Sequence, residues 1–374
     1  HMVESTYRCK RSIMSKWAHN IGDAFDWWVD ANPSLYYAET TRSAIPDENA
    51  DNFLIPIFYP LPEHYDWKQE RFPCYPTSVE FKPDQHVTVE ANMQKAVDTG
   101  NVQTFYGCFV EKLIMEDGRC VGLYARDAAT GDYIKCNASK GVILACGGYS
   151  GNETMMNALQ PQSVEQTCVN YSKPGAKGDG IKACLWAGAI MDTTHTSMIF
   201  DRGAIKPDQT GEYGKASDGA LFWMGSQPFL KVNLKGERFM NEYMPYDLVL
   251  HAAASQPYHT YCTVWDSKYA EDCEHFATHG CSRLYPHVNG TNPVFPMDYV
   301  QAMNADLQDQ GYIVEADTIE ELADKLGLPK ETFTATVDHY NELAAKGEDE
   351  DYGKENYRLS TLSEAPFYGV RQAG

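Results

Sequence analysis

The feature that most constrains the fold is an apolar run, residues 141–146 (GVILAC), which leads directly into Gly147 and Gly148. The run shows no alternation of polar and apolar residues, and its length suits a strand that is buried on both faces. A buried strand that ends in a glycine-rich turn is typical of an open α/β sheet, in which ligands bind beyond the carboxyl ends of the strands. The sequence therefore predicts a strand at 141–146 and a ligand-binding turn after it.

The residues before this run are predicted to form a β-meander. Three short apolar runs have the length of antiparallel strands: residues 102–111, 112–125 and 133–137. The dipeptides Asp117-Gly118 and Thr130-Gly131 are typical of hairpin turns, because glycine supplies the left-handed backbone that such turns need. Residues 45–85, in contrast, are rich in proline, tyrosine and acidic residues without a clear period, and we predict an irregular segment there.

Five segments carry the apolar spacing or the end signals of helices: residues 12–30, 87–97, 181–187, 319–326 and 330–345. In the first of them, Ile21, Phe25 and Trp28 recur at the spacing of an amphipathic helix. Thr318 and Glu321 have the spacing of a capping box at the start of the fourth. The sequence therefore predicts a chain of mixed helix and sheet.

The charge balance and the cysteine pattern exclude several classes of function. The net charge of −21 disfavours nucleic-acid binding, whose affinity depends mainly on neutralising phosphates with lysine and arginine. The 11 cysteines include no CxxC pair, so no metal site is predicted. No run of about 18 apolar residues occurs, and we predict no membrane span. The acidic run 348–351 is predicted to be a solvated turn. A nicotinamide dehydrogenase is disfavoured because the phosphate-binding GxGxxG pattern is absent.

Four blocks of sequence, in order along the chain, resemble the fumarate reductase / succinate dehydrogenase flavoprotein family: residues 141–152 (GVILACGGYSGN), 178–189 (GDGIKACLWAGA), 232–242 (VNLKGERFMNE) and 316–353. The resemblance implies FAD as the cofactor, a partial Rossmann-like α/β domain that includes the β-meander, and an inserted α+β capping domain. It implies an incomplete FAD-binding domain over 1–152, the capping domain over 153–349, and a return to the first domain over 350–374. It also implies that the N-terminal GxGxxG and a C-terminal part of the family pattern lie outside this sequence.

The same resemblance assigns the residues around FAD. Val110 matches the strand residue whose backbone meets the adenine. Four residues match the turn that runs along the cofactor: Ala145, Cys146, Gly147 and Gly148. Asp179 matches the acid of the GDG motif near the flavin, and it also stands where a helix N-cap would. Arg238 and Glu242 match the RFxNE motif, which is open to a structural ion pair as well as to a catalytic role.

Where the fumarate reductases surround a dicarboxylate with cations, this sequence has aromatic residues. Tyr246 stands in place of the proton-donating arginine, and Phe200 and Phe222 stand in place of a histidine and an acid. Two phenylalanines cannot hold a buried dicarboxylate, because burying an anion without partners is costly. The NExxPYD string around Tyr246 resembles the 3-ketosteroid Δ1-dehydrogenases, in which the matching tyrosine works at the carbon that loses or gains a proton.

We therefore predict an FAD-dependent oxidoreductase that reduces or forms an activated C=C bond in a neutral, hydrophobic carbonyl substrate, such as a ketosteroid or another enone. Hydride passes through flavin N5, the proton passes through Tyr246, and Phe200 and Phe222 contact the substrate. Two other functions remain open: reduction of an unsaturated carboxylate, with cations supplied from elsewhere, and a non-catalytic scaffold that does not bind FAD alone. A separate electron donor, a flavoprotein or a cytochrome, is expected, since the sequence has no haem or cluster motif.

Overall fold

The computed structural model describes residues 9–32, 34–37, 51–57, 78–170, 175–193, 195, 197, 199–211, 219–244, 246–276 and 297–374. These residues form two compact units. The small unit comprises residues 90–164 and 170–197, and the large unit comprises the described parts of 1–89, 165–169 and 198–374. The domain boundaries predicted at 152 and 349 stay a prediction.

The sheet of the small unit is an antiparallel meander in the order β4-β5-β6. Its strands are β4 (Cys108–Glu116), β5 (Arg119–Asp127) and β6 (Tyr133–Asn137). Asp117 and Gly118 both have positive φ, 48° and 75°, which the tight two-residue turn between β4 and β5 requires. The predicted meander is therefore confirmed, but its first strand lies at 108–116 and not at 102–111, and residues 102–107 form no strand.

Among the described residues, four helices contribute to the small unit: α2 (His86–Asp98), α3 (Glu153–Leu159), α4 (Pro161–Gln166) and α5 (Asp179–Trp186). The helix predicted at 181–187 is thus confirmed as α5. The strand predicted at 141–146 is wrong for this structure, because these residues form no strand and Ile143 is 95% exposed. A strand buried on both faces needs a neighbour on each side, and the described residues provide none for this run.

The large unit is built on a six-stranded sheet in the order β8-β7-β12-β10-β9, with β11 also paired to β12. The strands are β7 (Gly203–Ile205), β8 (Ala220–Leu221), β9 (Leu230–Asn233), β10 (Tyr261–Asp266), β11 (Ile313–Ala316) and β12 (Phe367–Ala373). Strand β12 is central, because it pairs antiparallel with β10 and also with β7 and β11. It lies in the segment that the sequence assigned to a return into the FAD-binding domain.

Two apolar clusters surround this sheet. One joins Leu230, Val232, Cys262 and Val264 of the sheet to α9 (Ile319–Leu326) and α10 (Lys330–Lys346). The other is aromatic, and in it Trp265 packs with Phe222, Phe229 and Phe276. The helices α6 (Tyr246–Ala254), α7 (Tyr269–Phe276) and α8 (Met297–Asp309) complete the described part of this unit.

The ends of α9 follow the predicted capping signals. The Thr318 hydroxyl accepts the Glu321 N–H at 3.1 Å, and the Glu321 carboxylate accepts the Asp317 N–H at 3.1 Å. Gly327 then ends the helix with φ of 67°, a conformation that glycine adopts without strain. The local sequence is thus sufficient to fix both ends of this helix.

In the N-terminal part of the chain, the described residues form α1 (Arg11–Val29) and three short strands. The strands, in the order β1-β2-β3, are β1 (Tyr36–Tyr37), β2 (Phe53–Ile57) and β3 (Ser78–Lys82). Phe25 and Trp28 of α1 pack around Phe81, whose ring centroid is 5.2 Å from that of Trp28. The prediction that 45–85 is wholly irregular is therefore wrong for β2 and β3, and the rest of that segment lies outside the described residues. None of the described helices is long and apolar enough to span a bilayer.

Candidate active site

In the small unit, the glycine turn is bound to the first turn of α5. The Gly178 N–H donates to the Gly148 carbonyl at 3.0 Å, and Gly178 is the N-cap of α5 with φ of 73°. A Cβ at position 178 would lie 2.6 Å from Met155 Sδ and 2.9 Å from Tyr149 Cβ. Position 178 therefore requires glycine both for its backbone conformation and for space.

A hollow of about 290 Å³ opens beside this junction. Cys146 and Gly147 line it on the turn, and Gly180 lies opposite, where an added Cβ would be 3.3 Å from Cys146 Sγ. The rest of the lining is mostly apolar and includes Leu144, Ile181, Cys184, Leu185, Ile190 and Met191. Gly147 has φ of 74° with nothing within 4 Å of its Cβ position, so its backbone faces open space.

The structure brings most of the predicted FAD residues together in the small unit. Ala145, Cys146, Gly147 and Gly148 are consecutive and exposed. Asp179 is the first residue of α5 and forms an ion pair with Lys182 at 2.7 Å, so the N-cap is Gly178 and not Asp179. Val110 lies in β4, at the point where the pairing with β5 shifts register between Val110 and Lys112. Strand β4 packs against α5, but Val110 does not line the hollow.

In the large unit, the RFxNE motif forms a buried ion cluster. The Arg238 guanidinium donates from Nε and Nη2 to the two oxygens of Glu242 at 2.8 and 3.0 Å. It also donates from Nη1 and Nη2 to the two oxygens of Asp349 at 2.8 and 2.7 Å. The rings of Tyr340 and Tyr352 lie 5.1 and 4.9 Å from the guanidinium carbon. Both carboxylates are therefore bound in the two-point geometry that fixes an arginine most firmly.

Lys354 is the second buried cation of this cluster. Its Nζ is fully buried, lies 3.2 Å from Glu242 Oε2, and donates to the Tyr340 hydroxyl at 2.7 Å and to the Pro228 carbonyl. We call Arg238, Glu242, Asp349 and Lys354 the ion cluster. Asp349 belongs to the acidic run predicted to be a solvated turn, and that prediction is wrong for this residue, which is only 6% exposed.

Burial and the neighbouring charges shift the pKa values of this cluster. Burial lowers the pKa of Lys354 to about 8, and the Glu242 carboxylate opposes this shift. Burial acts to raise the pKa of Glu242, but the charges of Lys354 and Arg238 outweigh it, so that pKa is below its usual value. Burial also acts to raise the pKa of Asp349. The hydrogen bonds from the Arg238 guanidinium and from the Lys354 backbone N–H outweigh burial and hold that pKa at about 2. Both carboxylates of the cluster are therefore ionised at neutral pH.

Tyr246, the predicted proton donor, is the first residue of α6. Helix α6 packs through Leu250 and Ala253 against Ile199 and Tyr261 in a small apolar cluster. The side chain of Tyr246 lies outside the described part of the structure, so its contact with a substrate stays a prediction.

The two predicted substrate-contacting phenylalanines occupy different environments. Phe222 is fully buried and stacks on Trp265, with ring centroids 5.4 Å apart, so contact with a ligand would require this core to open. Phe200 is half-buried, and the Arg202 guanidinium carbon lies 5.2 Å from its ring centroid and 4.3 Å from that of Trp223. The structure therefore does not show Phe200 and Phe222 lining the same pocket, and their role in substrate binding stays a prediction.

Sequence reasoning missed the charged pair that follows Phe200. Arg202 Nε donates to Ser226 Oγ at 2.9 Å, and Ser226 donates in turn to Asp201 Oδ1 at 2.5 Å. Asp201 and Arg202 are 2% and 5% exposed, and burial raises the pKa of Asp201 despite the opposing charges of Lys231 and Arg202. The available signal was an Asp-Arg pair placed between apolar residues, in the string MIFDRGAI.

A glycine turn held against the start of a helix, with an apolar hollow beside it, is an arrangement in which a nucleotide cofactor can bind, and here it stands in a protein of mixed helix and sheet. Residues 74–373 match the family described as the FAD binding domain, and the chain belongs to that family. The match confirms the flavoprotein resemblance seen in the sequence and FAD as the family's cofactor. The hollow fits part of such a cofactor, because it offers apolar walls for rings and, at Gly147, a backbone without a side chain.

Two curated proteins illustrate the similarity in sequence. A vinyl phenol reductase of Lactiplantibacillus plantarum is 30% identical over 257 residues, which are 68% of this chain and 50% of that protein. A 3-oxosteroid 1-dehydrogenase of Mycolicibacterium smegmatis is 30% identical over 280 residues, which are 69% of this chain and 45% of that protein. The chain thus spans about half the length of these curated relatives.

A solved structure with a similar fold is the 3-ketosteroid-delta4-(5alpha)-dehydrogenase from Rhodococcus jostii RHA1 in complex with 4-androstene-3,17-dione. The TM-score is 0.58 at 17% identity, and the match covers 96% of this chain and 65% of that chain. At this level of identity the likeness shows the shared fold alone.

Proposed function

We propose that this protein is an FAD-dependent oxidoreductase that reduces, or in reverse forms, an activated C=C bond in a neutral, hydrophobic carbonyl substrate. The observation that carries the proposal is the place of Tyr246 in a chain of the FAD-binding family: it is the first residue of α6, four residues after Glu242 of the ion-paired RFxNE motif. The name of one relative at 30% identity, a 3-oxosteroid 1-dehydrogenase, supports a carbonyl substrate. The name of another, a vinyl phenol reductase, supports reduction of a C=C bond in a neutral substrate, although a vinyl phenol has no carbonyl group.

The chemistry divides between the cofactor and the chain. Bound FAD supplies or accepts a hydride at the β-carbon of the substrate. The chain's part is to hold the substrate and to move one proton at the α-carbon, which we assign to the phenol of Tyr246. A phenol with a pKa of about 10 is a weak acid in water, but its proton affinity matches that of an enolate. Positioned proton transfer of this kind is worth roughly 10²- to 10⁴-fold in rate.

The cofactor residues that we assign on the chain lie in the small unit. Cys146 and Gly147 line the hollow, and Gly148 ties the turn to the N-terminus of α5. Val110, Ala145 and Asp179 complete the set carried over from the family resemblance. We further propose that a separate flavoprotein or cytochrome returns electrons to the cofactor.

The test is the reoxidation of reduced flavin by candidate substrates. The protein is loaded with FAD, reduced without oxygen, and mixed with an enone steroid, fumarate or urocanate while the flavin absorbance is followed. We expect rapid reoxidation by the enone alone. The Tyr246→Phe variant should be slower by roughly 10²- to 10⁴-fold, whereas the control Tyr258→Phe, whose side chain is 56% exposed, should match the original. An unchanged rate in Tyr246→Phe contradicts the assigned role, and failure to take up FAD contradicts the proposal as a whole.

A second function is favoured by one observation, the nearly buried Arg202 beside Phe200. Its guanidinium is a cation close to a predicted substrate-contacting residue, and sequence reasoning did not identify it. Arginine is well suited to pair with carboxylates. Reduction of an unsaturated carboxylate is therefore the alternative. It predicts reoxidation by fumarate or urocanate, and loss of that rate in Arg202→Met with little effect on the enone.

A further inference from the structure

The ion cluster contributes geometry more than stability. Its four charged side chains are almost completely withdrawn from solvent. Buried ion pairs of this kind are often no more stabilising than apolar residues of the same size, because desolvation offsets their attraction. Two-point arginine–carboxylate bonds, in contrast, fix the relative position of the segments that carry them. The main effect of the ion cluster is therefore expected on the position of the two segments that it joins.

The segments held together are 238–243 and 349–354, which are about a hundred residues apart in sequence. Besides the bonds from Arg238, the Tyr352 hydroxyl donates to the Arg238 carbonyl at 3.1 Å. The Asn241 side chain donates to the Tyr352 carbonyl at 3.4 Å. The Asp349 carboxylate also accepts the N–H groups of Tyr352 and Lys354 at 3.3 and 2.9 Å, which folds its own segment around it. Both backbone and side chains thus fix residues 238–243.

Helix α6 begins three residues after this fixed segment. On its other side, Leu250 and Ala253 of the same helix are held by Ile199 and Tyr261. The first residue of α6 is therefore located between two anchors, the ion cluster before it and an apolar cluster after it. Glu242 of the ion cluster lies four residues before Tyr246, and Leu250 of the apolar cluster lies four residues after it.

We propose that Asp349 is a positioning residue, which acts through Arg238 and Glu242 to fix the start of α6 and with it the phenol of Tyr246. The proposal rests on the function proposed above, since it gives Tyr246 a reacting partner. The proposal requires no contact of Asp349 with substrate or cofactor. Its contribution is to limit the positions that the phenol can take, and misplacement of a reacting group by about 1 Å can cost roughly 10²-fold in rate.

The first experiment measures the position of residue 246 without any turnover. A fluorinated tyrosine is placed at position 246, and its ¹⁹F resonance is compared in Asp349→Asn and in Asp266→Asn. Asp266 is the matched control, because it is 1% exposed and its carboxylate is bound by Lys268 and by the N–H groups of Ser363 and Glu364, none of which belongs to α6 or to the ion cluster. We expect the resonance to shift or broaden in Asp349→Asn alone. An unchanged resonance overturns the proposal, as does an equal change in the control.

The second experiment is a double-mutant cycle on flavin reoxidation by an enone. We expect Asp349→Asn to slow the original protein by roughly 10- to 100-fold, by the cost of a misplaced reacting group. In the Tyr246→Phe background the same substitution should slow the rate by less than about twofold, because residues that act through one another are not additive. Equal slowing in both backgrounds overturns the proposal. Failure of Tyr246→Phe to slow the reaction contradicts the proposed function instead, and the ¹⁹F comparison still decides the positioning.

Tyr352→Phe provides a variant that leaves all four buried charges in place. It removes the hydroxyl that donates to the Arg238 carbonyl, and the ring is 41% exposed, so the fold is retained. We expect a smaller ¹⁹F change in the same direction as that of Asp349→Asn. No change in either variant, with unfolding midpoints equal to the original, overturns the proposal.

Discussion

Gly147 and Gly178 have the same backbone conformation but different surroundings, so alanine at the two positions separates backbone strain from crowding. Their φ angles are 74° and 73°, both in the left-handed region. An added Cβ meets nothing within 4 Å at Gly147. At Gly178 it would lie 2.6 Å from Met155 Sδ and 2.9 Å from Tyr149 Cβ. Both substitutions therefore place alanine in a strained backbone conformation, but only Gly178→Ala also crowds its neighbours.

The expected magnitudes follow from these distances. Placing a non-glycine residue in the left-handed region costs about 1–2 kcal/mol, and this applies to both positions. Crowding in a packed site adds about 1–3 kcal/mol, and this applies at Gly178 alone. The Met155 side chain can turn aside, but Tyr149 Cβ is joined directly to the backbone and cannot. We therefore expect Gly147→Ala to lose about 1–2 kcal/mol and Gly178→Ala about 2–5 kcal/mol.

Hydrogen exchange of the α5 amides, followed without FAD, measures this loss where it arises. Opening free energies from exchange report local units of structure, so they isolate the turn and α5 from the large unit. Urea unfolding followed by circular dichroism gives the loss for the whole chain. Equal destabilisation by the two substitutions would refute the reasoning, since crowding at Gly178 would then contribute nothing.

Two further predictions concern the large unit. Asp349 has a pKa of about 2 in the folded protein, below its usual value of about 3.9, so its contribution to stability is present above about pH 4 and is lost as the pH falls toward 2. Urea midpoints measured across this range should fall less steeply in Asp349→Asn than in the original, and parallel curves would show that another carboxylate dominates. Phe222→Ala should cost about 3–5 kcal/mol, because it empties a fully buried site against Trp265. Phe200→Ala, at a half-buried site, should cost less, and the reverse order in thermal unfolding would contradict the packing described here.

The sequence predicts best those elements whose determinants are local. The capping box at Thr318 and the turn at Asp117-Gly118 are readable because all their partners lie within a few residues. The strand predicted at 141–146 fails for the opposite reason, since a strand exists only with neighbours that the run itself does not contain. Strand β2 is hidden by Pro56, a residue that argues against a strand in sequence.

In the candidate site, too, features with local determinants were predicted and features with distant partners were not. The glycine turn and the GDG motif are local, and the structure does join them through Gly148 and Gly178. Asp349 was assigned to solvent because its partner, Arg238, is 111 residues away in sequence. No periodicity or spacing rule links two such positions, so the buried pairing is visible only in three dimensions.

The order of strands in the large unit has a consequence for synthesis on the ribosome. The middle of the sheet is supplied by residues 367–373, whereas two of the strands that pair with it, β7 and β10, emerge more than a hundred residues earlier. These earlier strands cannot complete their pairing until the late strand leaves the exit tunnel, and contacts of such long sequence separation form slowly. We therefore expect the nascent large unit to depend on chaperones until translation has passed β12, while the meander of the small unit can form as it emerges.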